Sequence, residues 1–235
     1  MKEVKTFQQM FRDGHINRRD FLSAMGALGI TATTAGGLLT SASALAKTPN
    51  RGGSVIFANV LHGPDDTLDP MLGTSTIDYT RLNCGYNGLI QVWDDMSLHP
   101  ELVEEWSANS NATEFTFKIR KGVEFHNGKT LTADDVIYTM NRHLGADSIS
   151  NASSLVAMVK EWKKVNDYEV KAILSSPNAD LPIALGTFHF KILQEGAEDF
   201  STAIGTGPYK VKEFKPGVRT VGTRFDNYWG EGGYL

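Results

Sequence analysis

The stretch from Thr113 to Val136 constrains the fold of this 235-residue chain more than any other part of it. Three apolar residues in this stretch alternate with polar ones: Phe115, Phe117 and Ile119. A period of two places these side chains on one face of a β-strand. Two reversals follow, Lys121-Gly122 and Asn127-Gly128, and the Asn-Gly pair suits a tight turn because both residues tolerate positive φ. The pattern therefore predicts a strand that runs into a hairpin.

A helix is predicted directly after this hairpin. Thr132 carries a hydroxyl that can cap a helix, and Asp134 and Asp135 fall in the first turn, where the helix dipole favours negative charge. Four residues supply the apolar side of this helix: Val136, Ile137, Met140 and Leu144. Strand, hairpin and helix together form one supersecondary unit around which the rest of the chain must pack.

The first 46 residues have the pattern of a secretory signal peptide. Residues 1–20 contain five basic and three acidic side chains, whereas the 26 residues from Phe21 to Ala46 carry no charge. This uncharged run ends in Ala44-Leu45-Ala46, a small-residue pattern that predicts cleavage after Ala46. A membrane-spanning anchor is the alternative, since the run is long enough to cross a bilayer. Its glycines and many hydroxyl groups favour cleavage.

The residues just before the uncharged run indicate a route of export. Arg18 and Arg19 lie in the segment Asn17–Leu22, which resembles a twin-arginine motif. That motif directs a protein to the Tat export machinery. We therefore expect the mature protein, residues 47–235, to be periplasmic after the signal peptide has been removed.

The mature chain mixes strand and helix patterns without strict alternation. Strands are expected at Ser54–Val60, Leu89–Trp93, Tyr168–Leu174, Tyr209–Phe214 and Val218–Phe225. Helices are expected at Ile77–Leu89, Leu155–Trp162 and Asp180–Gly186, and irregular segments at Leu98–Trp106 and Asn141–Ser153. The predicted fold class is α/β in the mixed α+β sense.

Composition and residue spacing argue against several classes of function. The net charge of −4 gives no basic surface for nucleic acid. Cys84 is the one cysteine, so it cannot form an internal disulfide, and it is expected to be buried and inert. The histidines lack metal-ligand spacing, and the acidic pairs fit turns and helix caps. We therefore predict no enzyme activity, no metal site and no cofactor.

A series of short motifs resembles the family 5 extracellular solute-binding proteins, which are the peptide- and nickel-binding components of ABC importers. The motifs occur in family order: Leu68-Asp69-Pro70, Gly88-Leu89, Pro100–Trp106, Phe115–Gly128, Leu131–Val136, Gly205–Tyr209 and Asn227–Gly230. Single motifs of this length are weak evidence, whereas all of them in one order form a specific signal.

The resemblance implies a periplasmic binding protein of type II, with two lobes that close on a ligand. Residues 47–83 and 189–235 would form the first lobe, and residues 84–188 a small extra domain. Family members are usually about twice as long as this chain. The chain is therefore expected to represent the N-terminal half of the family fold, with the second lobe missing.

The resemblance also implies a function and a set of ligand-binding positions. The protein would bind a peptide or another small solute non-covalently and deliver it to the permease of an ABC importer with its ATPase. By position in the family, the ligand contacts fall in two loops: Thr74, Ser75, Thr76, Ser150, Asn151 and Ala152. An ordinary solvated loop is the alternative for both segments. A truncated family member with no independent ligand binding is the alternative for the whole chain.

Overall fold

The computed structural model describes residues 2–12, 16, 18–30 and 52–233. The chain divides into two compact units, residues 1–52 and residues 53–235. The first unit contains two helices, α1 (Lys2–Arg12) and α2 (Arg18–Ala27). Phe21 and Met25 of α2 are fully buried against apolar residues of α1. Within the described residues, neither helix is long and apolar enough to cross a bilayer.

The signal-peptide prediction falls only partly within the described residues. Arg18 and Arg19 open helix α2. The proposed cleavage position after Ala46 and most of the uncharged run lie outside the described residues.

The second unit is built on a four-stranded antiparallel sheet. Its strands are β3 (Val103–Ala108), β4 (Glu114–Ile119), β5 (Val159–Asn166) and β6 (Glu169–Leu174), in the order β3-β4-β6-β5. Two further strands, β1 (Ile90–Val92) and β2 (Leu98–Pro100), form a separate hairpin. Phe115, Phe117 and Ile119 of β4 are buried, so the alternating strand predicted for this stretch is confirmed.

A helix packs on this sheet, as the sequence predicts. It is α4 (Ala133–Asn141), and it follows α3 (Thr76–Gly85) in the chain. The carboxylate of Asp135 accepts a hydrogen bond from the amide of Thr132 at 2.8 Å. Asp135 also forms an ion pair with Lys129, with 2.8 Å between Oδ1 and Nζ, although the Asp135 side chain is fully buried. The helix start is therefore held by a carboxylate that is itself paired with a cation.

The remaining elements are short. They are α5 (Leu181–Leu185), the ribbon of β7 (Tyr209–Lys215) and β8 (Arg219–Arg224), and three 3₁₀ turns at Pro70–Leu72, Ser153–Val156 and Phe188–Phe190. The short helix at Asp180–Gly186 and the two strands after the Gly-rich turn are thus confirmed. The proposed division of residues 47–235 into a first lobe and an extra domain stays a prediction.

The helix predicted for Leu155–Trp162 is wrong, because this segment is a 3₁₀ turn followed by strand β5. A register shift between Val159 and Glu161 explains the error. The bulge puts Val159 and Trp162 on the same buried side although they are three residues apart. That spacing is the one that a helix would produce.

The irregular segment predicted at Leu98–Trp106 is also wrong, since it contains β2 and the first part of β3. Here too a shift in register, between Val103 and Glu105, interrupts the alternation.

Cys84 is half-buried rather than buried, and the partial burial raises the pKa of its thiol. Both differences arise from long-range packing, which a local pattern does not contain.

The strand predicted at Ser54–Val60 is absent from the structure. These residues have no regular secondary structure, and most of their apolar side chains are exposed to solvent. A β-strand needs a neighbouring strand for its backbone hydrogen bonds. Among the described residues, no strand pairs with this segment.

Candidate functional site

The Leu-Asp-Pro motif forms a rigid turn at the centre of the candidate site. The carboxylate of Asp69 accepts from the amide of Met71 at 3.2 Å and so begins the 3₁₀ turn that follows. The same carboxylate binds Arg142 through two bonds, of 3.0 and 2.6 Å. Because Arg142 directly follows α4, this bidentate ion pair ties the Leu-Asp-Pro turn to the C-terminal end of that helix.

Asn151 joins the second predicted loop to the residues directly before the first one. Its backbone amide donates to the carbonyl of Met71 at 3.0 Å, and its side-chain amide donates to the carbonyl of Leu72 at 3.0 Å. The loop at residues 150–152 therefore docks beside the start of the loop at residues 74–76, although about 75 residues separate them in the chain. The structure thus brings the second segment to the residues directly before the first, and ligand binding at both segments stays a prediction.

The three residues of the first loop have different roles in the structure. Ser75 caps helix α3, where its hydroxyl and the carboxylate of Asp78 satisfy the first backbone amides of the helix. Thr76 Oγ1 lies 3.2 Å from Asn59 Oδ1 and is exposed. Thr74 is also exposed, with its amide directed to Asp78. Thr74 and Thr76 are therefore exposed residues, and the hydroxyl of Thr76 donates to Asn59.

The second loop is held from beneath by a buried histidine. The hydroxyl of Ser150 lies 2.6 Å from Nδ1 of His143 and accepts from the amide of Ala152 at 3.1 Å. Burial lowers the pKa of His143 to about 4, and the neighbouring charge of Arg142 acts in the same direction. His143 is therefore neutral at pH 7. Ser150 and Ala152 are buried and shape the loop, whereas Asn151 is exposed.

An aromatic segment that sequence reasoning missed completes the site. His189 Nε2 lies 3.0 Å from the carbonyl of Gly73, and the rings of Tyr79 and Phe188 have centroids 3.6 Å apart. Burial lowers the pKa of His189. Among the described residues, its Nδ1 and the hydroxyl of Thr187 have no hydrogen-bond partner. The Phe-His-Phe run after Gly186 is the one sequence signal that could have pointed to it.

The resulting surface combines polar and apolar groups. Thr74, Thr76 and Asn151 offer exposed hydroxyl and amide groups, and the partly exposed rings of Tyr79 and Phe188 lie beside them. Such groups can form hydrogen bonds in both directions and can contact an apolar side chain. The described residues contain no cluster of three or more side chains suited to a metal ion.

The Gly-Thr-Gly-Pro-Tyr motif packs against the C-terminal end of α3. A Cβ atom at Gly205 would lie 2.1 Å from the carbonyl oxygen of Gly85, and one at Gly207 would lie 2.5 Å from the carbonyl carbon of the same residue. Only glycine permits this approach of two backbone segments. His126 binds the motif from the other side, with its ring nitrogens 2.9 Å from the carbonyl oxygens of Ala203 and Gly207.

Asn87 connects the remaining motifs. Its amide nitrogen donates to Glu101 Oε1 at 2.8 Å, and its oxygen accepts from Thr206 Oγ1 and from Trp229 Nε1, each at 3.1 Å. The other carboxylate oxygen of Glu101 accepts from the amide of Gly88 at 2.6 Å. Four of the motifs that identify the sequence are thus joined in one hydrogen-bond network around Asn87.

Comparison with known proteins identifies the family of this chain. The family described as bacterial extracellular solute-binding proteins, family 5 Middle, matches residues 97–235. The oligopeptide-binding protein AppA of Bacillus subtilis is 28% identical over 229 residues, which cover 91% of this chain and 42% of AppA. The dipeptide-binding protein of Escherichia coli is 29% identical, over 72% of this chain and 37% of its own length.

A solved structure of Bacillus subtilis AppA in complex with a nonapeptide shares the fold. Its TM-score is 0.69 at 27% sequence identity, and the match covers 77% of this chain and 38% of that structure. The chain spans about two fifths of the length of the relatives it matches. The mixed α/β architecture is accordingly that of one part of a periplasmic binding protein. The chain belongs to the bacterial extracellular solute-binding proteins of family 5.

Proposed function

We propose that this chain is part of the substrate-binding component of an ABC importer, which binds a peptide non-covalently and delivers it to a membrane permease. The junction of Asn151 with Met71 and Leu72, directly before residues 74–76, carries this proposal, because exposed polar groups from two distant segments lie at it. The relatives that are described as oligopeptide-binding and dipeptide-binding support a peptide as the solute.

The chemistry of the junction suits an extended peptide. A peptide backbone offers one donor and one acceptor per residue. The hydroxyl of Thr74 can donate and accept, the hydroxyl of Thr76, which donates to Asn59 Oδ1, can accept, and the side-chain oxygen of Asn151 can accept. The ring pair of Tyr79 and Phe188 offers apolar surface for a peptide side chain. Ser75, Ser150 and Ala152 would act by holding the loops in shape.

The junction would supply one side of the ligand contacts. In a two-lobed binding protein, high affinity depends on closure of both lobes around the solute. The chain spans about two fifths of its relatives. We therefore expect the 235-residue chain to bind peptides weakly, with the same residues that would serve in the full protein.

Chemical-shift mapping of the ¹⁵N-labelled chain tests the proposal. Pools of di- to pentapeptides are added up to about 5 mM, which detects binding far weaker than micromolar. We expect shifts at the amides of Thr74, Thr76 and Asn151, together with His189. The amide of Asn111, which lies in an exposed turn, should not move.

A matched pair of variants distinguishes peptide binding at the junction from a general effect of peptide on the protein. Thr74→Val removes an exposed hydroxyl at the junction, and Thr223→Val removes one on the ribbon β7–β8. The first should weaken the peptide-induced shifts, and the second should leave them unchanged. A chain that shows no shift with any pool would favour the alternative of a family member without independent ligand binding.

The route to the periplasm belongs to the same proposal. We propose that residues 1–46 direct export through the Tat machinery and that the segment is then removed. Fusion of residues 1–46 to a reporter that is active only after export tests this, with Arg18→Lys combined with Arg19→Lys as the inactive form. Arg12→Lys is the control. Export that persists in the double variant would exclude the twin-arginine route.

A further inference from the structure

Three aromatic rings form one stack beside the loop at residues 74–76. The ring centroids of Tyr79 and Phe188 are 3.6 Å apart, and those of Phe188 and His189 are 3.9 Å apart. All three residues are partly exposed to solvent. We call Tyr79, Phe188 and His189 the aromatic stack, and it is an accessible ring surface at the candidate site.

Two members of the aromatic stack also fix the backbone of the loop. Nε2 of His189 donates to the carbonyl of Gly73 at 3.0 Å, and the hydroxyl of Tyr79 donates to the carbonyl of Thr74 at 3.1 Å. Burial lowers the pKa of His189, so its ring is neutral at pH 7. A carbonyl oxygen only accepts, so Nε2 carries the hydrogen of this neutral ring. These polar atoms are used inside the protein, and ring surface remains for a ligand.

The backbone amides at the start of the loop are also hydrogen-bonded. The amides of Thr74 and Ser75 donate to Asp78 Oδ2 at 3.4 and 3.2 Å. The amide of Gly73 donates to the carbonyl of Pro70 at 3.4 Å. Each backbone amide has one hydrogen to donate. These three residues therefore offer a peptide backbone no free amide of the kind that a neighbouring β-strand would supply.

The charged side chains next to the loop are paired. Asp78 is almost fully buried, and its Oδ1 lies 3.3 Å from Nη1 of Arg81. Asp69 accepts two hydrogen bonds from Arg142. A charged group of the solute would lose water at this surface without gaining a free counter-ion from these residues. The surroundings of the aromatic stack therefore favour an uncharged solute group.

We propose that the aromatic stack binds one aromatic side chain of the solute, so that the protein prefers peptides that contain phenylalanine, tyrosine or tryptophan. The inference rests on the proposed peptide binding and adds a preference to it. Aromatic rings attract one another beyond the effect of the apolar area that they bury. This extra attraction corresponds to about 2- to 12-fold in affinity over an aliphatic side chain of similar area.

Titrations of the ¹⁵N-labelled 235-residue chain with four tripeptides test the preference. The tripeptides are Ala-Phe-Ala, Ala-Leu-Ala, Ala-Lys-Ala and Ala-Glu-Ala, which differ only in the central side chain. The Kd is taken from the amide shifts of Thr74 and His189. Ala-Phe-Ala should bind about fivefold more tightly than Ala-Leu-Ala. The two charged peptides should bind more weakly than Ala-Leu-Ala.

The contact itself can be observed without a substitution. Nuclear Overhauser effects from the ring protons of bound Ala-Phe-Ala should reach the rings of Tyr79 and Phe188. Trp93 provides an internal control, because it stacks on His99 with the same centroid distance, 3.6 Å, and is 53% exposed. Effects of similar strength at Trp93 would indicate non-specific stacking.

A matched pair of variants shows whether the ring is needed. Phe188→Leu removes the middle ring of the aromatic stack and keeps an apolar side chain. The preference for Ala-Phe-Ala over Ala-Leu-Ala should then fall to about twofold or less. Trp93→Leu removes a ring from the other stack and should leave the preference unchanged. Unaltered amide shifts of β4 and β6 show that each variant has folded.

Three results would overturn the inference and leave peptide binding intact. These are equal affinities for Ala-Phe-Ala and Ala-Leu-Ala, a preference that persists in Phe188→Leu, and ring contacts that do not involve Tyr79 or Phe188. If Phe188→Leu does not fold, the ring contacts in the unsubstituted protein decide the matter. The absence of shifts with all four peptides would instead contradict the proposed function, and the preference with it.

Discussion

Replacement of Asn87 by alanine should destabilise the second unit strongly. The side chain is buried, and three of its hydrogen bonds, of 2.8–3.1 Å, join Glu101, Thr206 and Trp229. These residues belong to segments that are up to 142 positions away from Asn87 in the sequence. Removal of the Asn87 side-chain amide therefore removes the hydrogen bonds that join three parts of the chain.

The magnitude follows from the bonds that are lost. The two neutral bonds, to Thr206 and Trp229, contribute about 1 kcal/mol each, and the bond to the Glu101 carboxylate contributes about 1.5–3 kcal/mol. We expect the free energy of unfolding to fall by about 3–5 kcal/mol, a large share of the 5–15 kcal/mol that is typical of a folded protein.

Urea unfolding, followed by tryptophan fluorescence and far-ultraviolet circular dichroism, measures the change. With a slope of about 2 kcal/mol per molar urea, the midpoint should fall by about 1.5–2.5 M. Asn111→Ala is the control, because Asn111 is exposed and its side-chain oxygen accepts one long hydrogen bond, from the hydroxyl of Ser110 at 3.4 Å. The free energy of unfolding of that variant should stay within about 0.5 kcal/mol of the value for the unsubstituted protein.

The reasoning would be refuted if Asn87→Ala changed stability no more than Asn111→Ala does. It would also be refuted if the fluorescence and dichroism transitions of Asn87→Ala separated, with the four-stranded sheet retaining its original midpoint. The second result would mean that the motifs are linked only locally and that the unit does not unfold as a whole.

Three further predictions concern the same scaffold. Gly205→Ala should reduce stability by about 3 kcal/mol or prevent folding, since its Cβ would lie 2.1 Å from the carbonyl oxygen of Gly85, whereas Gly63→Ala, with open space around its Cβ, should be tolerated in the same urea assay. Asp69→Asn should lower the free energy of unfolding in urea by about 2–4 kcal/mol, because the largely buried guanidinium of Arg142 keeps its charge and loses its carboxylate partner. The folded-state pKa of His143 is about 4, below its unfolded value near 6.5, so its contribution to stability is present above pH 6.5 and is lost as the pH falls towards 4. His143→Gln should therefore reduce the loss of stability between pH 6.5 and 4.5 by about 2 kcal/mol, measured as unfolding free energy at each pH, and an unchanged pH dependence would contradict this assignment.

The elements that could be predicted from the sequence are those whose pattern is local. Strand β4 was predictable because every second residue is apolar and its alternation is uninterrupted. The start of α4 was predictable because Asp134 and Asp135 fall in its first turn. Strand β5 was mistaken for a helix because a bulge places Val159 and Trp162 on the same side. That bulge depends on pairing with β6, which a local pattern cannot reveal.

The candidate site was predictable only in part. The resemblance to the family named the loops at residues 74–76 and 150–152, but the hydrogen bonds of Asn151 to Met71 and Leu72 required the fold. The contribution of His189 was missed, because a single histidine within an aromatic run has no distinctive spacing. Its position beside Gly73 results from a contact between residues 116 positions apart.

The sequence alone was sufficient to identify the family, the mixed α/β class, and the strand, hairpin and helix between Thr113 and Val136. Those properties depend on the order of motifs and on the periods of two and 3.6 residues, and both can be read along the chain. The tertiary structure decided which residues carry hydrogen bonds and which face solvent. It assigned Ser75 to a helix cap, linked Asn87 to three distant segments, and left residues 54–60 exposed although their sequence is that of a buried strand. The physical reason is that burial and strand pairing depend on neighbours distant in sequence, whereas periodicity depends only on adjacent residues.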